Sequence, residues 1–350
     1  MTDATSLSTI ASSHDTADLL RRAAERTMRF DFTEWFWGDP IAVEGLLEAA
    51  VLLGDKRFQE RAAAFARPWC ERGAIHWNDA NAPGRAFNDL YRRTGDRVYL
   101  DGSLRLADHL IHRVPRSLDP ECPIYTPDRV THRAYAWVDS IYHVPPYFAD
   151  LARLTGDGAY LDHALYVLDA HVACLLDEAT GLFAQGRDLS SDVTKGLGWG
   201  RGMAWAYGGV IDTLELLEEG ADRERLTALF RRLTDVLLPL QTSSGAWRNL
   251  VQDDRAPVEG STAALIGAGL EKGLRLGILD ESARPATERA WEHVLAHVDD
   301  AGGLFDVSAC SWVANNPGDD RDVYRAIGFE VNVWGQGSLL RACTERLLRA

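Results

Sequence analysis

Tryptophans, carboxylates and arginines recur together in this chain, and that combination suits a sugar acid. Trp35 and Trp37 lie in Glu34-Trp35-Phe36-Trp37-Gly38-Asp39-Pro40, and Trp77 lies in His76-Trp77-Asn78-Asp79. Trp137 lies in Tyr135-Ala136-Trp137-Val138-Asp139, while Trp199 and Trp205 bracket Gly200-Arg201-Gly202-Met203-Ala204. Aromatic faces pack on sugar rings, a carboxyl group carries a proton, and a guanidinium grips a carboxylate through two parallel bonds. Any one of these tryptophans also suits a helical core. The set, recurring beside Asp and Arg, points to a ligand.

Asp139 has the best setting for proton transfer. Trp137 and Val138 precede it, and Ser140-Ile141-Tyr142-His143-Val144-Pro145-Pro146 follows. Apolar and aromatic neighbours disfavour the anion and raise a carboxyl pKa, as a general acid requires. The same position also suits a helix cap, where the dipole favours the anion. Asp79 has the same two readings, and two carboxyls flanking a sugar are the usual hydrolase arrangement. Arg201 stands between glycines that let the backbone approach a ligand closely; it also suits an ion pair with an acidic neighbour. His76, His132 and His143 read as structural. No HExxH, phosphate-loop, GxSxG or dinucleotide pattern is present.

These residues need a scaffold, and a repeated turn supplies one. Gly54-Asp55, Gly95-Asp96 and Gly156-Asp157 each follow an apolar helical pattern and precede a Phe or Tyr. Gly277-Ile278-Leu279-Asp280 is a weaker copy, and Gly220-Ala221-Asp222 stands where another fits. Gly ends one helix in a left-handed conformation and Asp caps the next. Copies fall roughly every 40 to 60 residues, which gives about six helical hairpins. The stretches joining successive hairpins, such as 69–84, 117–137 and 181–202, are long and rich in Trp, Gly and Asp. Long connections in compact folds are commonly functional. The reading is an all-α (α/α)6 barrel with these connections at one mouth; the alternative is an open helical solenoid. Residues 1–15 read as a flexible polar lead-in and 16–350 as a single catalytic domain.

The chain has 350 residues with a net charge of −15, which argues against a nucleic-acid groove. Five scattered cysteines without a CxxC pair suit reduced thiols in a cytoplasmic protein. No signal-peptide pattern or membrane-length apolar run is present.

The motif Trp137-Val138-Asp139-Ser140-Ile141-Tyr142-His143-Val144-Pro145-Pro146 resembles the central motif of glycoside hydrolase family 105, the unsaturated rhamnogalacturonyl hydrolases. So do Trp199 to Trp205 and Glu259-Gly260-Ser261-Thr262 with Lys272-Gly273. The resemblance runs over about 35–345. It implies an (α/α)6 barrel without metal or cofactor that hydrates the C4=C5 double bond of a terminal unsaturated uronic acid. It implies Asp139 as acid and base and Asp79 as its support. It implies that Trp199 and Arg201 hold the uronate, with Trp205 lining the same wall; Trp37 and Trp137, from the loop aromatics, are read as substrate-binding beside them. Asp128-Arg129 stand where family 105 often has His-Lys, and Gln185 stands where it often has His; Arg129 and Gln185 are read as substrate-binding. Gln185-Gly186 and the Arg-Gly-x-Ala-Trp form resemble family 88, the unsaturated glucuronyl hydrolases, so a glucuronyl substrate is the alternative. The expected partner is an unsaturated uronyl oligosaccharide. Two readings from other classes are a sugar epimerase or isomerase, which normally needs paired histidines, and a non-catalytic carbohydrate-binding toroid.

Overall fold

The hairpin turns form as their residues require. Gly54, Gly95 and Gly156 have φ of 63°, 69° and 75°. The carboxylates of Asp55, Asp96 and Asp157 accept from the backbone N–H groups of Arg57, Val98 and Ala159 at 3.1, 3.1 and 3.0 Å. Gly220 departs from this pattern: it caps its helix without a side-chain bond, and Asp222 and Glu224 complement the dipole from the first turn.

The computed structural model describes residues 4–32, 37–73, 75, 84–118, 121–125, 135–311 and 320–349, with side chains from residue 15 onward. The helices are α1 (Ala4–Thr27), α2 (Asp39–Leu52), α3 (Lys56–Arg72), α4 (Gly84–Thr94), α5 (Arg97–His112), α6 (Asp139–His143) and α7 (Pro145–Thr155). They continue as α8 (Gly158–Leu175), α9 (Gly200–Glu215), α10 (Ala221–Leu237), α11 (Gly260–Arg275), α12 (Arg284–Ala296), α13 (Asp320–Arg325) and α14 (Val333–Leu348). Helix α1 starts inside the stretch expected as a lead-in, so no break in helical backbone marks residue 15.

Burial separates two layers. Residues 200–214 of α9, 260–273 of α11 and 334–345 of α14 are buried on every face, as befits an inner wall. Helices α3, α5 and α10 bury one stripe only. The inner helices α2, α4, α7, α9, α11 and α14 pack each on the next, and α14 returns to α2. The ring is therefore closed rather than an open solenoid. The outer layer is α3, α5, α8, α10, α12 and α1, and α1 covers α14, so the two chain ends seal the barrel. The fold is an (α/α)6 toroid.

Because each short turn leads from an inner to an outer helix, all inner helices run the same way. Among the described residues, the segments that lead into α6, α9, α11 and α14 gather at one mouth. Deeper in the barrel lie the rings of Tyr142, His143 and Trp205, in mutual contact. Deeper still is a charged floor. Asp212 faces Lys272 at 2.7 Å, Arg85 at 2.9 Å, and Arg341. Lys272 also reaches Glu215 at 2.9 Å and Glu345 at 3.2 Å, and Arg341 donates to the Tyr142 hydroxyl at 3.2 Å.

Candidate active site

A small sheet sets the position of Asp139. Strand Tyr135–Trp137 pairs antiparallel with Gly186–Asp188, which pairs in turn with Val193–Lys195. Gly186 is opposite Trp137, and a Cβ built there would lie 2.7 Å from the indole. The Val138 amide donates to the Gln185 carbonyl at 3.0 Å, and the chain then turns into α6. The cap position is Val138, so Asp139 does not cap the helix; it occupies the first turn of α6.

Helix α9 meets α6 at glycines. A Cβ at Gly202 would lie 3.0 Å from Val138, and one at Gly209 would lie 2.1 Å from the Ile141 carbonyl. This contact carries Arg201 toward Asp139. Gly209→Ala is therefore expected to push the helices apart and cost about 1–3 kcal/mol, read as a loss of unfolding free energy in denaturant.

Burial pushes the Asp139 carboxyl up to about 6, while a backbone hydrogen bond and the Arg201 charge pull it down. Arg201 itself is fully buried and ion-paired with Glu259 at 3.2 Å. Its Nη1 donates to the Ser308 hydroxyl at 2.6 Å and carbonyl at 3.0 Å, and Nη2 to the Ala309 carbonyl at 3.1 Å. Its Nε is buried without a hydrogen-bond partner among the described residues. Three rings surround the guanidinium: Trp199 at 4.8 Å, and Trp37 and Trp334 at 5.6 Å each. Trp205 reaches the Trp37 ring edge-on at 6.4 Å. The indole N–H groups of Trp199 and Trp205 and the His143 Nε2 are likewise buried without partners among those residues. Burial lowers His143 to about 3, so its ring is neutral at physiological pH. Buried polar atoms left unmatched among the described residues, beside the Arg201 guanidinium, suit an anionic and hydroxylated ligand.

Asp139, Arg201, Trp37, Trp199 and Trp205 thus come together. Trp137 stacks on Tyr135 at 4.9 Å beside them. Gln185 is occupied within the protein: its amide nitrogen donates to the Ser311 carbonyl at 3.1 Å and its oxygen accepts from the Tyr324 hydroxyl. Asp79 and Arg129 lie outside the described residues. Sequence reasoning gave no role to Trp334, Ser308 or Glu259. Glu259 stands in a quoted motif, while Asn332-Val333-Trp334-Gly335 carries the same Trp-Gly signal as the other mouth segments.

Among the described residues, one cluster has metal-ligating side chains: His293, His297 and Asp306, on the outer wall. His293 Nδ1 lies 3.0 Å from the Ser244 carbonyl and its Nε2 2.7 Å from Asp306. Both ring nitrogens already have oxygen partners, and the two imidazoles stack at 4.0 Å. The cluster is a brace between α12 and the segment that carries Ser308.

Residues 14–350 match the model of Glycosyl Hydrolase Family 88, and the chain belongs to that family. It is a glycoside hydrolase. It is 24% identical over 337 residues to the unsaturated rhamnogalacturonyl hydrolase YesR of Bacillus subtilis, covering 92% of each chain. Its fold matches that of a possible member of glycoside hydrolase family 105 from Salmonella enterica, with a TM-score of 0.85 at 21% identity, over 96% of this chain and 94% of that one. It also matches the unsaturated glucuronyl hydrolase of Bacillus sp. GL1, responsible for the degradation of glycosaminoglycan, with a TM-score of 0.65 at 17% identity, over 94% and 95%.

Proposed function

We propose that this hydrolase removes a terminal Δ4,5-unsaturated uronic acid from an oligosaccharide by hydrating its C4=C5 bond. The observation that carries the reading is Asp139, a carboxyl held at about 6 in an aromatic mouth beside Arg201. Asp139 gives its proton to C4. Water adds to C5 and returns a proton to the Asp139 carboxylate. The resulting hemiketal opens to a C5 ketone, the ring oxygen remains on C1 as a hydroxyl, and C1 collapses to an aldehyde as the neighbouring sugar leaves. One water is consumed. Asp79 is assigned to support Asp139, and Arg129 to bind the substrate.

The unmatched Nε of Arg201 and indole N–H of Trp199 support a grip on the uronate carboxylate. Arg201→Lys keeps the charge beside Glu259 but removes the planar donor. A charge-assisted bond is worth roughly 1.5–3 kcal/mol, so kcat/KM is expected to fall about tenfold to a hundredfold. Methyl esterification of the uronate is expected to harm the wild type far more than this variant; equal losses would remove Arg201 from the role.

Rhamnose is the expected neighbouring sugar, on the likeness to the rhamnogalacturonyl hydrolase along 92% of the chain. The second reading, a glucuronyl substrate, has support from the family 88 model. A panel setting unsaturated galacturonyl-rhamnose against unsaturated glucuronyl-hexosamine and glucuronyl-rhamnose separates them by the sugar released. Failure of all three to release any sugar would reject the proposal. All five cysteines are free thiols, which supports a cytoplasmic location. No described helix is long and apolar enough to cross a membrane.

A further inference from the structure

We infer that Glu259 is a positioning residue for the proposed reaction: it fixes Arg201 among the mouth tryptophans and so governs the charge that faces Asp139. The inference rests on the hydration reading and adds a residue to it.

Glu259 is the N-cap of α11, a place where Ser, Thr, Asp or Asn usually serves. Its longer side chain does two things. Oε2 accepts from the Thr262 amide at 3.0 Å and so caps the helix. Oε1 reaches across to Arg201 Nη1 at 3.2 Å and to the Ser308 amide at 2.9 Å and hydroxyl at 3.2 Å. The Ser261 hydroxyl lies 2.9 and 2.7 Å from the two carboxylate oxygens. Capping alone requires only the Oε2 contact. The remainder of the array exists around Arg201.

The residues after Glu259 make room for this. A Cβ at Gly260 would lie 1.9 Å from Asp306 Oδ1, so only glycine lets the 306–308 segment come against the cap. The Gly260 amide donates to the Asp306 carbonyl at 2.9 Å, and His293 braces Asp306 from α12. Ser308 then presents its hydroxyl and carbonyl to Arg201, and Trp334 donates to the same carbonyl at 3.2 Å. Glu259, Ser308 and Ala309 thus hold both terminal nitrogens of Arg201. Among the described residues, Nε is left as the donor without an acceptor.

The charges set the expected effect. Arg201 faces Glu259 from α11, Cys310 from the 306–311 segment and Asp139 from α6. Asp139 faces Arg201, and Cys310 and Tyr324 in turn face Asp139. Neutralising Glu259 leaves the Arg201 charge unbalanced. The Asp139 anion is then favoured, and its proton is lost at lower pH. A solely structural Glu259 would lower activity without moving that limb.

The test is the pH profile of kcat for wild type and Glu259→Gln on an unsaturated uronyl disaccharide, with the crystal structure of the variant. The glutamine is expected to shift the alkaline limb to lower pH and to lower kcat at neutral pH about tenfold or more. Arg201 is expected to turn from Ser308 toward Asp139, the anion that still faces it. A folded variant with an unmoved limb, or with Arg201 unmoved in the crystal, would overturn the inference. Should Glu259→Gln not fold, Ser308→Ala decides: it removes one acceptor from Arg201 and is expected to raise KM for the free uronate but not for its methyl ester. An unchanged KM overturns the inference. Wild type that leaves every unsaturated disaccharide intact counts against the hydration reading instead, and the crystal structure still tests the hold of Glu259 on Arg201.

Discussion

Asp139→Asn is expected to reduce turnover by about a hundredfold to ten-thousandfold while the intact disaccharide still binds. The double bond of an unsaturated uronate is an enol ether conjugated to a carboxylate. It needs a proton on carbon before water adds at the far end. Asparagine has nearly the shape of aspartic acid but no proton to give. Burial that pushes Asp139 up to about 6 is the physical basis: near neutral pH a useful fraction still carries the proton, and its conjugate base is strong enough to take one back from water. The acid form is lost as pH rises through about 6, so wild-type kcat is expected to fall across that range. Near-normal turnover by a folded Asp139→Asn would mean that the carboxyl takes no part in proton transfer.

Asp212→Asn is expected to destabilise the barrel by about 3–5 kcal/mol, measured by urea unfolding. Asp212 is fully buried with three cations, Arg341, Lys272 and Arg85, from three inner helices. Removing the anion leaves those cations facing one another in a medium that screens them poorly. Burial alone would push the Asp212 carboxyl up, but Arg341, Lys272 and Arg85 together hold it well below the usual carboxylate range. Its contribution is therefore complete above the unfolded value near 4 and is lost as pH falls through the folded one. Glu44 has the opposite sign. Burial pushes it up to about 7, so the stability tied to its protonated form is lost as pH rises through about 7. An Asp212→Asn protein as stable as wild type would show that the floor is not under this charge stress.

The ring and the mouth were legible because local rules write them. Gly-Asp turns at 54, 95 and 156 need only their own residues and the next helix, and they recur. Gly200 and Gly202 read as letting the backbone approach a ligand, but they pack on protein instead: Gly200 against the Arg248 carbonyl and Gly202 against Trp199 and Val138. The charged floor was not legible. Glu44, Asp212, Lys272 and Arg341 lie on four different helices, and ion-pair partners among them lie as much as 129 residues apart. Nothing local says that these charges meet. The engagement of Gln185 with Ser311 and Tyr324 was hidden for the same reason, since both partners are more than a hundred residues further along the chain. The role of Glu259 is an intermediate case. Its motif is visible, but its hold on Arg201 appears only once α9 and α11 are neighbours in the wall.

The most direct test follows the ultraviolet absorbance of an unsaturated uronyl disaccharide and the release of its second sugar in one reaction. Hydration of C4=C5 destroys the chromophore before the glycosidic bond opens. Absorbance is expected to fall in step with or ahead of sugar release, one double bond lost per sugar freed. Sugar released while the absorbance persists, or an absorbance that never falls, would contradict the hydration reading.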